Sequence, residues 1–99
     1  MTTRTTAEHQ AMIDRAELRV TEWRLAPGAA TGHHRHAFDY LVVPLTTGVL
    51  RAVAASGTTE TPLTPGKPYF RKAGVEHDVI NAGAAPLAFL EIELKDRPG

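Results

Sequence analysis

The sequence predicts an all-β domain, a barrel or sandwich of short strands, and three observations support this fold class. Glycine and proline recur at short intervals, so regular helices have little room. Short apolar runs, alternating or continuous, lie between these turn residues, as in half-buried and buried strands. A chain of 99 residues has material for one modest core. The predicted strands are residues 18–25, 40–45, 49–55, 68–71, 79–82 and 87–94.

The last predicted strand shows the clearest alternation, because successive side chains of a strand point to opposite faces. Its two faces differ in polarity, so one face is predicted to pack in the core and the other to be more exposed to solvent. The predicted core face carries Leu90, Ile92 and Leu94. The predicted solvent-facing side carries Phe89, Glu91 and Glu93.

The N-terminal segment has a weaker pattern. Residues 1–16 are predicted to be less ordered or to form one short helix, because apolar residues 11–13 would give a helix over 6–17 a surface to bury. Residues 17–95 are predicted to form the barrel. No repeat, linker or low-complexity stretch divides the chain, so residues 1–99 are predicted to be a single domain.

Composition excludes several function classes. The 11 basic and 11 acidic residues give a net charge of zero, and the sequence has no cluster of Lys and Arg. Nucleic-acid binding is therefore not expected. With no cysteine, histidine and carboxylates are the strong metal ligands that remain. The polar N-terminus lacks the apolar core of a secretion signal, and no apolar run is long enough to span a bilayer. A soluble, cytoplasmic protein without membrane contact is expected.

Histidines carry the strongest chemical signal in the sequence. In an extended strand, His34 and His36 project to the same face about 6.5–7 Å apart, while His33 points away. Both rings could then bind one ion, with a third imidazole from His77 on a neighbouring strand. His9, in the polar N-terminal segment, is predicted to lie at the surface. A His-x-His pair also arises by chance on exposed strands, so spacing alone leaves metal binding open.

Two segments resemble the two motifs of the cupin family. The first motif is G-x5-H-x-H-x3-4-E-x6-G, and the second is G-x5-P-x-G-x2-H-x3-N. Matching positions of the first are Gly28, His34, His36 and Gly48. Matching positions of the second are Gly66, Gly74, His77 and Asn81. The resemblance implies a single jelly-roll barrel of six to eight strands, commonly dimeric, that holds one divalent metal ion inside.

The sequence departs from the first motif at its glutamate, which is usually a fourth metal ligand. The two allowed positions carry Tyr40 and Leu41, so three histidines remain as ligands. Asp39 could reach the metal only if the turn after His36 is shortened or bulged. Tyr40 could act as a hydrogen-bond donor or acid in the cavity, or could simply be a packed, half-buried side chain.

The second motif has Lys72 in place of its proline, next to Arg71. These two cations could attract an anionic substrate or could be a solvated surface pair. Gly74 is expected to take a positive φ in the turn before the His77 strand. Asn81 shares the strand face of His77, where it could hydrogen-bond a neighbouring turn, a structural role, or line the cavity.

The resemblance leaves the function open between two classes, because cupins include enzymes and sensor domains. The first is a metal-dependent enzyme, a three-histidine dioxygenase or an isomerase, acting on a small oxygen-rich or anionic metabolite. The second is a non-catalytic domain that binds a small molecule or a metal. Apart from these two, a degenerate cupin without a metal is a third possibility, with its histidines hydrogen-bonded in a polar barrel interior. The ion could be Fe2+, Zn2+, Ni2+ or Mn2+, and pairing of exposed strand edges predicts a homodimer.

Overall fold

The computed structural model describes residues 5–95, which form two antiparallel sheets in a jelly-roll arrangement. The larger sheet has the strand order β1-β2-β9-β4-β7, and the smaller has the order β3-β8-β5-β6. This architecture confirms the predicted all-β jelly roll. The strands are β1 (Glu8–Asp14), β2 (Leu18–Leu25), β3 (His34–Arg35), β4 (Asp39–Pro44), β5 (Gly48–Ala54), β6 (Gly57–Leu63), β7 (Tyr69–Arg71), β8 (Glu76–Asn81) and β9 (Leu87–Leu94).

The predicted N-terminal helix is wrong, and residues 5–95 contain no helix at all. Glu8–Asp14 is instead an edge strand that pairs with β2 along its whole length. A register shift between Ala11 and Ile13 places Met12 in a β-bulge. The bulge breaks the period-2 pattern by one residue, which is why no strand was evident in the sequence. Residues 1–4 of the predicted helix or disordered segment lie outside the described residues.

The sequence pattern also missed β6. This strand forms a hairpin with β5, and only Leu63 at its end is buried. Its other residues are mostly threonine, glutamate and proline, so it carries no apolar alternation. Cross-strand pairing with β5 holds such a polar edge strand in place, together with the β-branched threonines. With β1, β3 and β6 included, residues 5–95 hold nine strands rather than the six to eight expected.

The alternation predicted for β9 is present, but the assignment of its faces is wrong. Phe89 and Glu93 are 4% and 8% exposed and point into the barrel, whereas Leu90, Ile92 and Leu94 point outward and are half-buried. Glu93 tolerates the interior because Arg19 binds it in a two-pronged ion pair, with N–O distances of 2.7 and 3.0 Å. The barrel interior is therefore partly polar.

An apolar row crosses the outside of the larger sheet, and we call it the outer row. Directly paired residues share a face of a sheet, and the pairings join one apolar residue from each of the five strands. At the two ends of the row, Ile13 and Phe70 are 47% and 43% exposed. The outer row consists of Ile13, Val20, Ile92, Leu41 and Phe70.

Asn81 anchors the turn between β8 and β9. Its side chain is 1% exposed, and its amide nitrogen donates to the carbonyls of Leu25 (3.0 Å) and Ala85 (2.8 Å). Its oxygen accepts from the amide of Gly83 at 2.9 Å. The asparagine of the second motif thus serves the fold by hydrogen-bonding a turn, which is one of the two roles expected for it.

No helix within the described residues is long and apolar enough to cross a membrane.

Gly48 is expected to be required for close packing of β5 against the core. A Cβ atom at this position would overlap the side chain of Leu87, which is 2% exposed and enclosed by the core. Gly48→Ala should therefore lower the free energy of unfolding by about 1–3 kcal/mol. Urea denaturation monitored by Trp23 fluorescence measures this change.

Gly83→Ala is the matched control for this prediction. A Cβ at Gly83 would lie 3.5 Å from the Asn81 oxygen, an ordinary contact, and its φ is not positive. This variant should change stability by less than about 0.5 kcal/mol. Equal losses in both variants would contradict the packing explanation.

Candidate metal centre

Strand pairing brings the three predicted histidines together. In the β3–β8 ladder, His34 is directly opposite His77, so both imidazoles leave the sheet on the same face. The ladder continues past β3, since the amide of His36 donates to the carbonyl of Val75 (2.8 Å) and the amide of Gly74 donates to the carbonyl of His36 (2.8 Å). His36 lies two residues after His34 and therefore points the same way.

Gly74 makes the turn that allows this second contact. Its φ is +97°, a conformation that side chains with a Cβ rarely adopt. The expectation of a positive φ before the His77 strand is confirmed. The glycine thus fixes the backbone of His36 relative to that of β8.

The ring nitrogens of the three histidines converge at one point. Nε2 of His36 lies 3.0 Å from Nε2 of His34 and 3.2 Å from Nε2 of His77. One donor nitrogen from each ring can be chosen so that all lie within 4.8 Å of one another. Two imidazoles bound to one ion at about 2.0–2.1 Å would have nitrogens about 2.9 Å apart at a right angle and about 3.4 Å apart at a tetrahedral angle. The two observed Nε2 separations fall within that interval, so the three histidines fit one metal ion.

The other nitrogen of His34 is held by the backbone. Nδ1 lies 2.8 Å from the carbonyl oxygen of Gly32 and 3.3 Å from the hydroxyl of Thr31. A proton on Nδ1 donates to this carbonyl and leaves the Nε2 lone pair facing the other histidines. Such outer contacts fix the ring orientation and the tautomer of a metal ligand.

The surroundings keep two of the histidines neutral. Burial, together with the neighbouring His34 and His77, lowers the pKa of His36 to about 4. Burial also lowers the pKa of His77 to about 4, with neighbouring His34 and Arg71 acting in the same direction. A metal ion binds the unprotonated imidazole. Both side chains are therefore in the metal-binding form at neutral pH.

Tyr40 lies inside the barrel next to this cluster. It is 3% exposed, and its ring stacks on that of His36 with centroids 3.9 Å apart and an interplanar angle of 20°. Burial raises the pKa of its phenol, and the negative charge of Glu91 acts in the same direction. Tyr40 therefore holds the His36 ring in place and stays protonated, so it can donate a hydrogen bond.

Asp39 does not join the histidine cluster. It lies on the opposite face of β4 from Tyr40, and its carboxylate accepts a hydrogen bond from the amide of Ala73 at 2.8 Å. The segment after His36 is neither shortened nor bulged enough to turn this carboxylate inward. Within residues 5–95, the cluster that could hold a metal ion consists of His34, His36 and His77.

The remaining histidines and the cationic pair lie at the surface. His33 points away from the cluster, as expected, and Nε2 lies 2.9 Å from the carboxylate of Glu76. His9 is exposed, with its ring 4.7 Å from that of Trp23. Arg71 places its guanidinium over the Tyr69 ring, 4.3 Å from the centroid, while Lys72 is exposed.

A small cavity of about 70 Å3 adjoins the three histidines. Two larger pockets share lining residues with this cavity. One is a groove of about 510 Å3 that is lined by His34, His36 and Arg35, and the other is an opening of about 200 Å3 that is lined by His77 and Arg71. The remaining lining residues of the small cavity are Trp23, Thr31, Tyr40, Val42, Leu50, Tyr69, Val79, Phe89 and Glu91.

Glu91 is a cavity residue that the sequence interpretation missed. It was assigned correctly to the face of Phe89 and Glu93, but that face was placed away from the core. Burial and, to a smaller extent, the charge of Glu93 raise the pKa of Glu91 to about 7, against the opposing effects of the Trp23 indole N–H and the charge of Arg19. The alternation itself carried the signal, since the same strand face holds both carboxylates.

A jelly roll that directs three histidines to one point inside the barrel defines a class of β-barrels that can hold a metal ion there. The chain belongs to this class by sequence as well, because the family model for the cupin domain matches residues 21–93. It is a member of the cupin superfamily.

Comparison with individual proteins gives two near relatives and one distant one. The chain is 54% identical over 95 residues to the β-alanine degradation protein BauB of Pseudomonas aeruginosa, covering 96% of this chain and 100% of that protein. It is 45% identical to a cupin domain from Bordetella pertussis, with a TM-score of 0.94 and coverage of 97% and 100%. The polyketide cyclase RemF from Streptomyces resistomycificus is 22% identical with a TM-score of 0.72 and coverage of 97% and 70%, so it shares the fold.

Metal ions are expected to stabilise the protein through the three histidines. Chelator-treated protein should gain about 2.7 kcal/mol in stability from a divalent ion at 100 times its dissociation constant, a rise in melting temperature on the order of 10–20 °C. Thermal unfolding with Fe2+, Ni2+, Zn2+ and Mn2+ measures the shift. His34→Ala and His77→Ala should each abolish it.

His33→Gln is the control, because this histidine lies in the same segment but outside the cluster. It should retain the full metal-dependent rise in melting temperature. A rise that survives His77→Ala, or one that disappears in His33→Gln, would contradict the assignment of the ligands.

Proposed function

We propose that this chain is a metal-dependent enzyme that acts on a small carboxylate, and that His34, His36 and His77 hold its single divalent ion. The convergence of their Nε2 atoms, at 3.0 and 3.2 Å, is the observation that carries the proposal. Three neutral ligands leave the whole +2 charge of an ion to be balanced by what binds next. Such a centre favours an anionic ligand.

The substrate class follows from charge, size and relationship. The small cavity of about 70 Å3 has room for about five water-sized groups, which suits a molecule of few non-hydrogen atoms. The Pseudomonas aeruginosa relative, 54% identical, is named for β-alanine degradation. These observations support β-alanine, or a three-carbon acid formed from it, as the substrate.

The protein's own residues would prepare the site for this chemistry. A bound ion would supply Lewis-acid catalysis or, if it is iron, oxygen chemistry. Tyr40 orients the His36 ring and offers a hydrogen-bond donor, while Val42, Leu50 and Phe89 provide apolar walls that restrict water. Arg71 lines one opening and places a positive charge on the path of an anion.

Turnover by the metal-loaded protein tests the proposal. Protein loaded with iron(II) is incubated with β-alanine, 3-hydroxypropanoate, 3-oxopropanoate and a panel of thiols and diketones, while an oxygen electrode records uptake. NMR on the same samples, and on zinc- and nickel-loaded protein, detects isomerisation without oxygen uptake. We expect conversion of at least one carboxylate, lost in His77→Ala and retained in His33→Gln.

Saturable binding without conversion in any metal form would contradict the enzyme and support a metal-dependent binding or sensor domain. Conversion that persists in His77→Ala would contradict the proposed centre. The first result tests whether the protein is an enzyme, and the second tests which residues form its metal centre.

We also propose that the chain forms a homodimer through the outer row. This row has no charged side chain, and Leu18, Leu90, Leu94 and Val43 extend it on the same sheet face. At one margin, Arg24 and Glu22 form an ion pair at 3.2 Å. An apolar centre with a polar margin is typical of homodimer interfaces, and a twofold axis would lay this face on its own copy. Five strands at about 4.8 Å spacing provide a face about 20 Å wide, which is suited to a small isologous interface.

Ile92→Lys should break this dimer, because it buries a charge at the centre of the outer row. Light scattering after gel filtration at micromolar concentration should give the mass of two chains for the wild type and of one chain for the variant. Val53→Lys, an equally drastic change at a 38% exposed residue of the other sheet, should remain dimeric. A monomeric wild type would overturn the proposal.

A further inference from the structure

Two carboxylates point into the barrel from β9, but only one of them is neutralised by the fold. Both oxygens of Glu93 are bound by Arg19, at 2.7 and 3.0 Å. Glu91, two residues earlier on the same face, forms no ion pair within residues 5–95. Its direct neighbours across the sheet are Thr21 and Val42, neither of which can balance a charge. The fold therefore leaves one inward carboxyl group unneutralised.

Beside it lies a polar group without a well-formed hydrogen bond among residues 5–95. This is the indole N–H of Trp23, whose Nε1 atom is buried and meets no acceptor at hydrogen-bonding geometry. Trp23 and Glu91 are diagonal neighbours on the inner face of the sheet, because Glu91 is directly opposite Thr21 and Phe89 is directly opposite Trp23. Buried polar groups are almost always paired, because an unpaired one has lost its hydrogen bonds to water and gained none in return. An unpaired donor beside an unneutralised carboxyl points to a bound molecule that satisfies both.

Both groups line the cavity that holds the histidines. Trp23 and Glu91 come from the larger sheet, while the three imidazoles come mainly from the smaller sheet and the segment that follows β3. The cavity thus has a face for metal-bound groups and a separate polar face. Glu91 is not among the residues close enough to share an ion with the histidines.

We propose that Glu91 and the indole N–H of Trp23 form a subsite for the hydrogen-bond-donating end of the substrate, a hydroxyl or an amine. This inference rests on the proposed function, in which the three-histidine centre holds the carboxylate end. A hydroxyl donates to Glu91 and accepts from Trp23, and an ammonium group donates to Glu91 and balances its charge. The subsite selects bifunctional small acids over simple ones.

Binding to the nickel-loaded protein tests the subsite without depending on turnover. Calorimetric titrations compare propanoate with 3-hydroxypropanoate and β-alanine, which add a hydroxyl and an amine at the far end. The wild type should bind at least one of the two bifunctional acids about tenfold more tightly than propanoate, as a charge-assisted hydrogen bond predicts. The stronger of the two identifies the donor group.

Glu91→Gln should lose this preference but still bind both propanoate and nickel, because the proposed contacts of those two are with the histidine centre. Trp23→Phe should weaken the preference for the hydroxyl more than that for the amine. Glu22→Gln, which alters a carboxylate on the outer face of β2, should behave as the wild type. Glu91→Gln removes only a charge, so the protein should remain folded, as circular dichroism checks.

The possible failures are distinguishable. A wild type that binds propanoate but shows no preference, or a preference that survives Glu91→Gln, overturns the subsite and leaves the metal centre intact. A loss of nickel affinity of about tenfold or more in Glu91→Gln overturns it in favour of a fourth metal ligand. If the wild type binds neither nickel nor any of the acids, the proposed function and the subsite are both overturned.

Discussion

The direct pairing of His34 with His77 is the contact on which the rest of the site depends. The backbone pairing fixes the Cα positions of these two residues and the sheet face from which both imidazoles project. The backbone hydrogen bonds of His36 with Val75 and Gly74 then hold the third imidazole beside the other two. The remaining contacts, the stacking of Tyr40 and the hydrogen bond from His34 to Gly32, refine the orientation of rings that the strand register has already brought together.

The polar groups inside the barrel affect how apolar residues are distributed between the inner and outer faces of the sheets. An interior with three imidazoles, Glu91 and the Arg19–Glu93 ion pair has less apolar surface than an ordinary core. The apolar core is therefore confined to residues such as Leu25, Leu63, Leu87 and Phe89. The more hydrophobic alternating positions of β9 lie on the outside, where the outer row crosses the sheet.

Much of this structure could be predicted from the sequence, and the failures have physical causes. The fold class, six of the strands and the convergence of His34, His36 and His77 followed from turn residues, alternation and motif spacing. The faces of β9 were exchanged because the more hydrophobic face was taken to be the core. Here the inner face carries two carboxylates, while the outer face is apolar. β1 was missed because its bulge interrupts the period, and the role of Asp39 depended on a turn geometry that spacing does not encode. Glu91 was overlooked because a lone acidic residue has no motif.

The two larger pockets beside the histidines divide the cluster between them. His34 and His36 line one pocket together with Arg35, and His77 lines the other together with Arg71. Each pocket therefore pairs an imidazole of the cluster with a guanidinium group. Substitution of one of these arginines leaves the positive charge of the other beside the cluster, so the charge at this end of the barrel does not depend on a single side chain.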